Sequence, residues 1–348
     1  MSDQIPLFDL EPAAPDDPSA EAVARVHEAA RAIAADMPDE IRFGTSSWSF
    51  PGWKGIVYSG AVTSSALSRD GLRQYAQHPL LRTVGIDRSY YAPIPIEDLR
   101  RYADQLPAGF KGCAKAPASV TSTIIGPPGS TTPNPDFMSV PGLIEELLLP
   151  FSIAFPDHTG PFILEFPPFP KYAKMPPAEF LSRLDRFLSE LPPDFQYAVE
   201  LRDQRLLTPE YFAMLVRHGI GHTYNYWSAM PELMLQARVI PPETLPFAVI
   251  RLLLKPGSWY EDQKERFHPF NAGVAPDEAI RRDVVGLSDR VLTSGRKLWV
   301  LVNNKAEGSS PLSIMELARR VAERRKQLLG AERHARMDSG GAVRIGVS

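Results

Sequence analysis

Cysteine is almost missing from this chain: Cys113 is the only one in 348 residues. An internal disulfide framework and a cysteine-based zinc cluster are both excluded, and a reducing compartment is the expected setting. Long apolar runs are missing too. None reaches the roughly 20 residues of a membrane-spanning helix, and the opening Met1-Ser2-Asp3-Gln4 lacks the basic-then-apolar order of a secretion signal. A cytoplasmic protein without a membrane partner is the expectation. Excess charge of either sign is absent as well. With a net charge of −3, any nucleic-acid-binding surface must be local. The seven histidines (His27, His78, His158, His218, His222, His268 and His334) are scattered, which excludes a multi-histidine zinc site. Only His222 falls in a strand candidate, and it reads as a hydrogen-bonded structural residue. No cofactor and no metal site are predicted. A Mg2+ ion on Asp87, Glu165 or Glu200 stays open, because hard cations need only oxygen ligands.

What is present is ordinary for a globular protein: 44% apolar and 23% charged residues, with 35 prolines set mostly between periodic segments. Residues 1–19 read as a flexible tail, Pro/Asp/Ala-rich from Glu11 to Ser19, and Ala20–Met37 as a helix. An alternation then begins. Strand candidates are Ile41–Ser47, Thr83–Asp87, Phe110–Lys115, Phe162–Phe166, Tyr197–Leu201, Gly221–Tyr224, Phe247–Leu252 and Leu298–Asn303. Helical stretches follow them at Leu67–His78, Pro95–Gln105, Gly142–Phe155, Pro177–Leu191, Pro209–Arg217, Pro231–Arg238, Asp277–Leu292 and Leu312–Leu329. Eight such units predict an α/β fold, a single (β/α)8 TIM-type barrel over residues 20–330 with an extra N-terminal helix and a flexible tail at 331–348. No Gly-rich phosphate fingerprint follows the first strand, which argues against an open doubly wound sheet. Two strand-to-helix loops are long, Ala116–Pro141 and Lys255–Pro276. Barrels build their sites from such loops, although plain insertions also look this way.

The strand ends repeat one pattern, an apolar run that finishes in a polar side chain. In Ala198-Val199-Glu200-Leu201-Arg202 the period of two turns Val199 and Leu201 towards the helices, leaving Glu200 and Arg202 to face inward. The same parity sends Glu165, Lys115, Arg251 and Asn303 inward, and Asp87 ends the second strand. Three readings compete for these residues. They close the barrel top as buried ion pairs; or Lys115, Arg202 and Arg251 clamp an anion; or Glu200 and Glu165 perform acid–base catalysis. Aromatic residues gather near the first strand ends. Trp48 and Tyr91 are candidates to stack or orient a ligand, whereas Trp53 and Tyr58 read as core.

The run Phe43-Gly44-Thr45-Ser46-Ser47-Trp48-Ser49-Phe50, followed by Trp53-Lys54-Gly55 and Tyr58, resembles the opening signature of the YecE-like family, domain of unknown function 72. Phe110 to Thr121, Tyr197 to Arg202 and Val300 to Asn304 are similar to later stretches of that family, in the same order. The resemblance covers roughly Ile41 to Leu329 and implies a TIM-type barrel without an assigned activity. This chain departs from the family pattern at Gly85, where a Glu is usual, at Ser122, where a His is usual, and at Asp203.

Gln4-Ile5-Pro6-Leu7-Phe8 is similar to the peptide by which bacterial replication and repair proteins dock on the sliding clamp. Gln4, Leu7 and Phe8 are thus candidate partner-binding residues. If that docking is real, Lys255, Lys264 and Arg266 are candidate phosphate contacts on DNA. The expected function is an enzyme acting on a phosphate-containing ligand, a small anion or a nucleic acid, leaning to a phosphodiesterase-like hydrolase with a repair role. Glu200 and Glu165 are its acid–base pair, and Lys115, Arg202, Arg251, Asn303, Asp87, Tyr91 and Trp48 bind substrate. A non-catalytic clamp-docking adaptor and a sugar or sugar-phosphate isomerase or lyase are the alternatives.

Overall fold

The computed structural model describes residues 17–127, 129–169 and 175–340. Apolar runs too short for helices and bounded by turn residues become strands: β1 (Ile41–Thr45), β2 (Leu81–Ile86), β3 (Lys111–Lys115), β4 (Thr159–Phe166), β5 (Tyr197–Leu201), β6 (Gly221–Tyr226), β7 (Phe247–Leu252) and β8 (Lys297–Val302). Helices carry the chain back between them, so every barrel pairing is parallel. The order β1-β8-β7-β6-β5-β4-β3-β2 closes on itself, with β1 matched to β8 from Ile41–Leu298 to Thr45–Val302.

The alternation of side chains divides the core into two shells. Cys113, Ile163, Ala198, Phe247, Val249, Trp299 and Leu301 form one buried cluster, the filling of the barrel. Residues of the opposite parity, among them Phe43, Val84, Ala114, Leu164, Val199, Ile250 and Val300, join the larger cluster under the helices. Strands β1 and β2 approach each other closely. A Cβ at Gly44 would lie 2.0 Å from the Thr83 carbonyl oxygen, and one at Gly85 would lie 2.7 Å from that of Ser46. In this chain a side chain at either position would have to displace backbone.

Closure is reinforced by the motif that opens the barrel. Trp53 and Tyr58 are fully buried, as core packing requires. The Trp53 indole donates to Asn304 Oδ1 at 3.2 Å, and the same oxygen accepts the backbone N–H (2.8 Å) and hydroxyl (2.9 Å) of Ser310. The loop after the first strand is thereby tied to the loop after the last.

Several boundaries differ from the sequence expectation. The N-terminal helix spans Pro18–Ala34, and the carboxylate of Asp17 caps it by accepting the Ser19 N–H at 2.9 Å. The proline-rich stretch therefore ends in a helix start, since proline is favoured in a first turn. Neither long loop is without structure. One holds the short helix Ala118–Thr121 and a small hairpin pairing Ile124–Ile125 with Thr132–Pro133; the other holds the helix Tyr260–Phe267. The closing helix runs Ser310–Gly340, beyond both Leu329 and the expected domain end at 330. Among the described residues no helix is long and apolar enough to cross a membrane.

Candidate functional site at the carboxyl ends of the strands

Inward parity at the last position of β3 and the penultimate positions of β4, β5 and β7 brings Lys115, Glu165, Glu200 and Arg251 together, and Asp87 and Arg202 join them from just beyond β2 and β5. Arg251 is the hub. Its Nη1 donates to Glu165 Oε2 (2.8 Å) and Glu200 Oε2 (2.6 Å), and its Nη2 reaches Asp87 Oδ2 (3.1 Å) and Oδ1 (3.3 Å). Arg202 donates from Nε to Glu200 Oε1 (2.9 Å) and from Nη2 to Glu165 Oε2 (2.7 Å). The Lys115 ammonium lies 2.8 Å from the same Glu165 oxygen. Three cations thus meet three carboxylates, and the formal charges cancel.

Burial and pairing set the protonation of this network. Burial works to raise the Glu165 pKa, but Arg202, Lys115 and Arg251 outweigh it and hold the carboxyl down at about 2. Arg251 is 1% exposed. Burial pulls its pKa down, yet Glu200, Asp87 and Glu165 raise it well above the ordinary value. Aromatic faces close two of the cations from the other side: Lys115 Nζ sits 3.6 Å from the centre of the Tyr90 ring, and the Arg202 guanidinium 4.2 Å from that of Trp227. Burial, then Glu165, pushes the Tyr90 hydroxyl up to about 12, so it stays a donor at neutral pH. The site reaches solvent unevenly. The side chains of Glu200 and Glu165 are 0% and 6% exposed, that of Asp87 is 30% exposed, and Tyr91 beside it is 81% exposed.

The profile of the family described as "Protein of unknown function DUF72" matches residues 42–338. The chain belongs to the DUF72 family. A DUF72 crystal structure from Thermotoga maritima is similar with a TM-score of 0.55 at 20% identity, over 80% of this chain and 97% of that one. Another, from Enterococcus faecalis, is similar with a TM-score of 0.51 at 16% identity, over 81% and 95% of the two chains. At these identities the likeness concerns the fold. No curated protein matches the chain.

The DUF72 barrel brings six of the expected site residues into one network, with Tyr91 at its exposed side beside Asp87. Trp48 is 5% exposed; its indole donates to the Leu67 carbonyl at 2.8 Å and its ring packs edge-on against Tyr102. It joins the outer core, because a residue beyond a strand end no longer obeys the strand's alternation. Asn303 turns back on its own loop, accepting the Lys305 N–H at 3.0 Å. Gln4, Leu7 and Phe8 lie outside the described residues. The loop cations are engaged elsewhere: Lys255 pairs with Asp277 (2.9 Å), Lys264 with Glu261 (3.2 Å), and Arg266 packs over Phe267. His222 is buried, with Nδ1 2.9 Å from the Tyr211 hydroxyl, as a structural histidine should be.

Sequence reasoning did not assign site roles to Tyr90, Trp227, Asn225 or Lys305. Asn225 had a usable signal, since it pairs in register with Arg251 and has inward parity. Lys305 lies over the Tyr260 ring at 4.2 Å, and among the described residues it has no carboxylate within ion-pair distance. Two of the departures from the family pattern have local tasks: the Ser122 hydroxyl donates to the Ile124 carbonyl, and Asp203 caps the turn at Gln204–Leu206. Among the described residues no group of three or more His, Cys, Asp or Glu side chains is set to hold a metal. The oxygens a Mg2+ ion would need on Glu165 and Glu200 face arginine and lysine instead.

Proposed function

We propose that the barrel is an enzyme that moves a proton on a small hydroxyl-rich ligand carrying one anionic group, with sugar phosphates as the class that fits. The observation behind this reading is that, of the three carboxylates bound to Arg251, only Asp87 has substantial access to solvent. Barrels perform chemistry at this face, and a buried ion cluster adds less stability than apolar packing of the same volume. That favours a functional origin for the cluster.

The roles divide by environment. Glu165 and Glu200 each bind two or more cations, so both position Arg251 and Arg202, and Glu165 is held ionised far below neutral pH. Asp87 takes the acid–base role. The three network cations are neutralised, which leaves Lys305 as the anion holder at this end. Tyr91 and Trp227 flank the ligand ring. Among the described residues, Asn225 Oδ1 and Arg251 Nε are buried without a hydrogen-bond partner; such atoms mark places where a ligand or water supplies the missing bond. A nucleic-acid substrate finds less support, because two of the three loop cations expected to meet phosphates, Lys255 and Lys264, are paired with carboxylates.

The test is a panel of sugars, sugar phosphates, nucleosides and nucleotides, screened by thermal stabilisation and then by turnover. Asp87→Asn should keep ligand binding and abolish turnover, and Lys305→Gln should weaken sugar phosphates while sparing the neutral sugars. Full turnover by Asp87→Asn sinks the proposal. Clamp docking through Gln4, Leu7 and Phe8 is a separate proposal that does not involve this pocket.

A further inference from the structure

The opposite, amino-terminal end of the barrel is built differently. A cavity of 310 Å³ opens there, lined by Arg42, Gln77, His78, Arg82, Gly109 and Phe110 among others. Arg42 enters it from the start of β1, and Arg82 from the start of β2. Arg42 spends its bonds on backbone: Nη1 donates to the Gly109 carbonyl at 2.8 Å and lies 3.5 Å from that of Arg82, while the guanidinium rests 5.3 Å from the centre of the Trp299 ring on the barrel floor. Among the described residues no carboxylate lies within ion-pair distance of Arg42. Arg82 has Asp39 at 2.9 Å, but that carboxylate is 92% exposed and contributes little.

The neighbourhood adds positive charge. Lys111 Nζ donates to the Asp157 backbone carbonyl at 2.8 Å, and Lys297 is exposed close by; neither has an ion-pair partner among the described residues. The groups repel one another. Burial, then Arg82, lowers the Arg42 pKa from its ordinary value, and burial, then Arg42, does the same to Lys111. Arg42 and Lys111 are half-buried without an ion-pair partner among the described residues, and Arg82 has only the exposed Asp39; on a chain of net charge −3 this is a local excess of positive charge.

We propose that this cavity is a second binding site, taking a phosphate group between Arg42 and Arg82. Two guanidinium groups on adjacent strands offer several N–H donors to the oxygens of a tetrahedral dianion. The bound charge would relieve the repulsion among Arg42, Arg82, Lys111 and Lys297, a task for which a monovalent carboxylate is less suited. The phosphate can come from a free small molecule or from a nucleic-acid backbone. This site does not depend on the chemistry assigned to the mouth.

The experiment uses the full chain with pyrophosphate and, separately, a short single-stranded oligonucleotide as probes. Calorimetry reads the affinity, and quenching or shift of tryptophan emission reports on Trp299 under Arg42. Wild type should bind pyrophosphate at low salt, with affinity lowered about tenfold in Arg42→Gln and several-fold in Arg82→Gln, and unchanged in Asp87→Asn. Oligonucleotide binding that pyrophosphate displaces, and that Arg42→Gln weakens, assigns the phosphate to nucleic acid; binding of pyrophosphate alone assigns it to a small molecule. Should Arg42→Gln fail to fold, Arg82→Gln, altered on the partly exposed rim, carries the test alone. No binding of either probe, or binding lost in Lys305→Gln and kept in both arginine variants, overturns the site.

Discussion

At the carboxyl end of the barrel Arg251 gives its terminal nitrogens to Glu165, Glu200 and Asp87, whereas at the amino end Arg42 gives its bonds to backbone carbonyls. Arg251 is fully buried and Arg42 half-buried, but only the first is answered by carboxylates. Where the charges balance, the side chains fix one another and leave a single solvent-reaching acid, Asp87. Where they do not, the pocket remains open to a ligand that brings the missing charge. The same residue type serves as framework in one place and as bait in the other.

The sharpest way to break this contrast is to delete the framework arginine. Arg251→Met should cost about 3–5 kcal/mol in urea denaturation, because Glu165 and Glu200 would remain buried beside one cation fewer. Arg42→Gln should cost no more than about 1 kcal/mol, since no carboxylate loses its partner. Equal losses at the two ends would remove the distinction. Next in size is Asp87→Asn, for which turnover should fall roughly 10²–10⁴-fold with the melting temperature little changed.

Acid should separate the two ends in order. Burial, then His27, lowers His78, which lines the amino-end cavity, from its ordinary 6.5 to about 3. A folded pKa below the unfolded one means that the neutral imidazole contributes stability above about 6.5, and that this contribution is lost as pH falls towards 3. His222, lowered to about 3 by burial, behaves alike. Glu165 is depressed from 4.5 to about 2, so its contribution is complete above 4.5 and is lost between there and 2. Hydrogen exchange followed from neutral pH to about 5 should loosen the segment around His78 before the network around Glu165. The reverse order would show that the buried carboxylates, not the histidine, set acid stability. The smallest effect belongs to the N-terminal peptide: Leu7→Ala with Phe8→Ala should leave stability and turnover unchanged and abolish capture by a sliding clamp.

Much of this site could be read from sequence wherever strand alternation applies. Parity alone places Glu165, Glu200, Lys115 and Arg251 on the inner face, because a β-strand admits only two directions for a side chain. It fails one or two residues past each strand end, where loop geometry takes over, and that is where Trp48 goes into the outer core and Trp227 and Lys305 come to the mouth. Sequence also cannot say who pairs with whom. Lys115, Arg202 and Arg251 look like an anion clamp in the sequence, whereas in the fold Glu165 and Glu200 already occupy them. The amino-end cavity is not legible in the sequence for the same reason, since Arg42, Arg82 and Gly109 come from three separate segments that meet only when β1, β2 and β3 pair.

That closure has a price in time. The bond between Trp53 and Asn304 joins residues 251 positions apart, and a ribosome extends a chain by about 5–20 residues per second. The indole therefore waits on the order of tens of seconds for its amide. Until then β1 has no β8 beside it, and the nascent sheet presents bare hydrogen-bonding edges to whatever else is in the cell. A chain halted short of Lys297 would carry seven of its eight strands and still be unable to seal, which makes the last stretch of synthesis the one that covers the open edges.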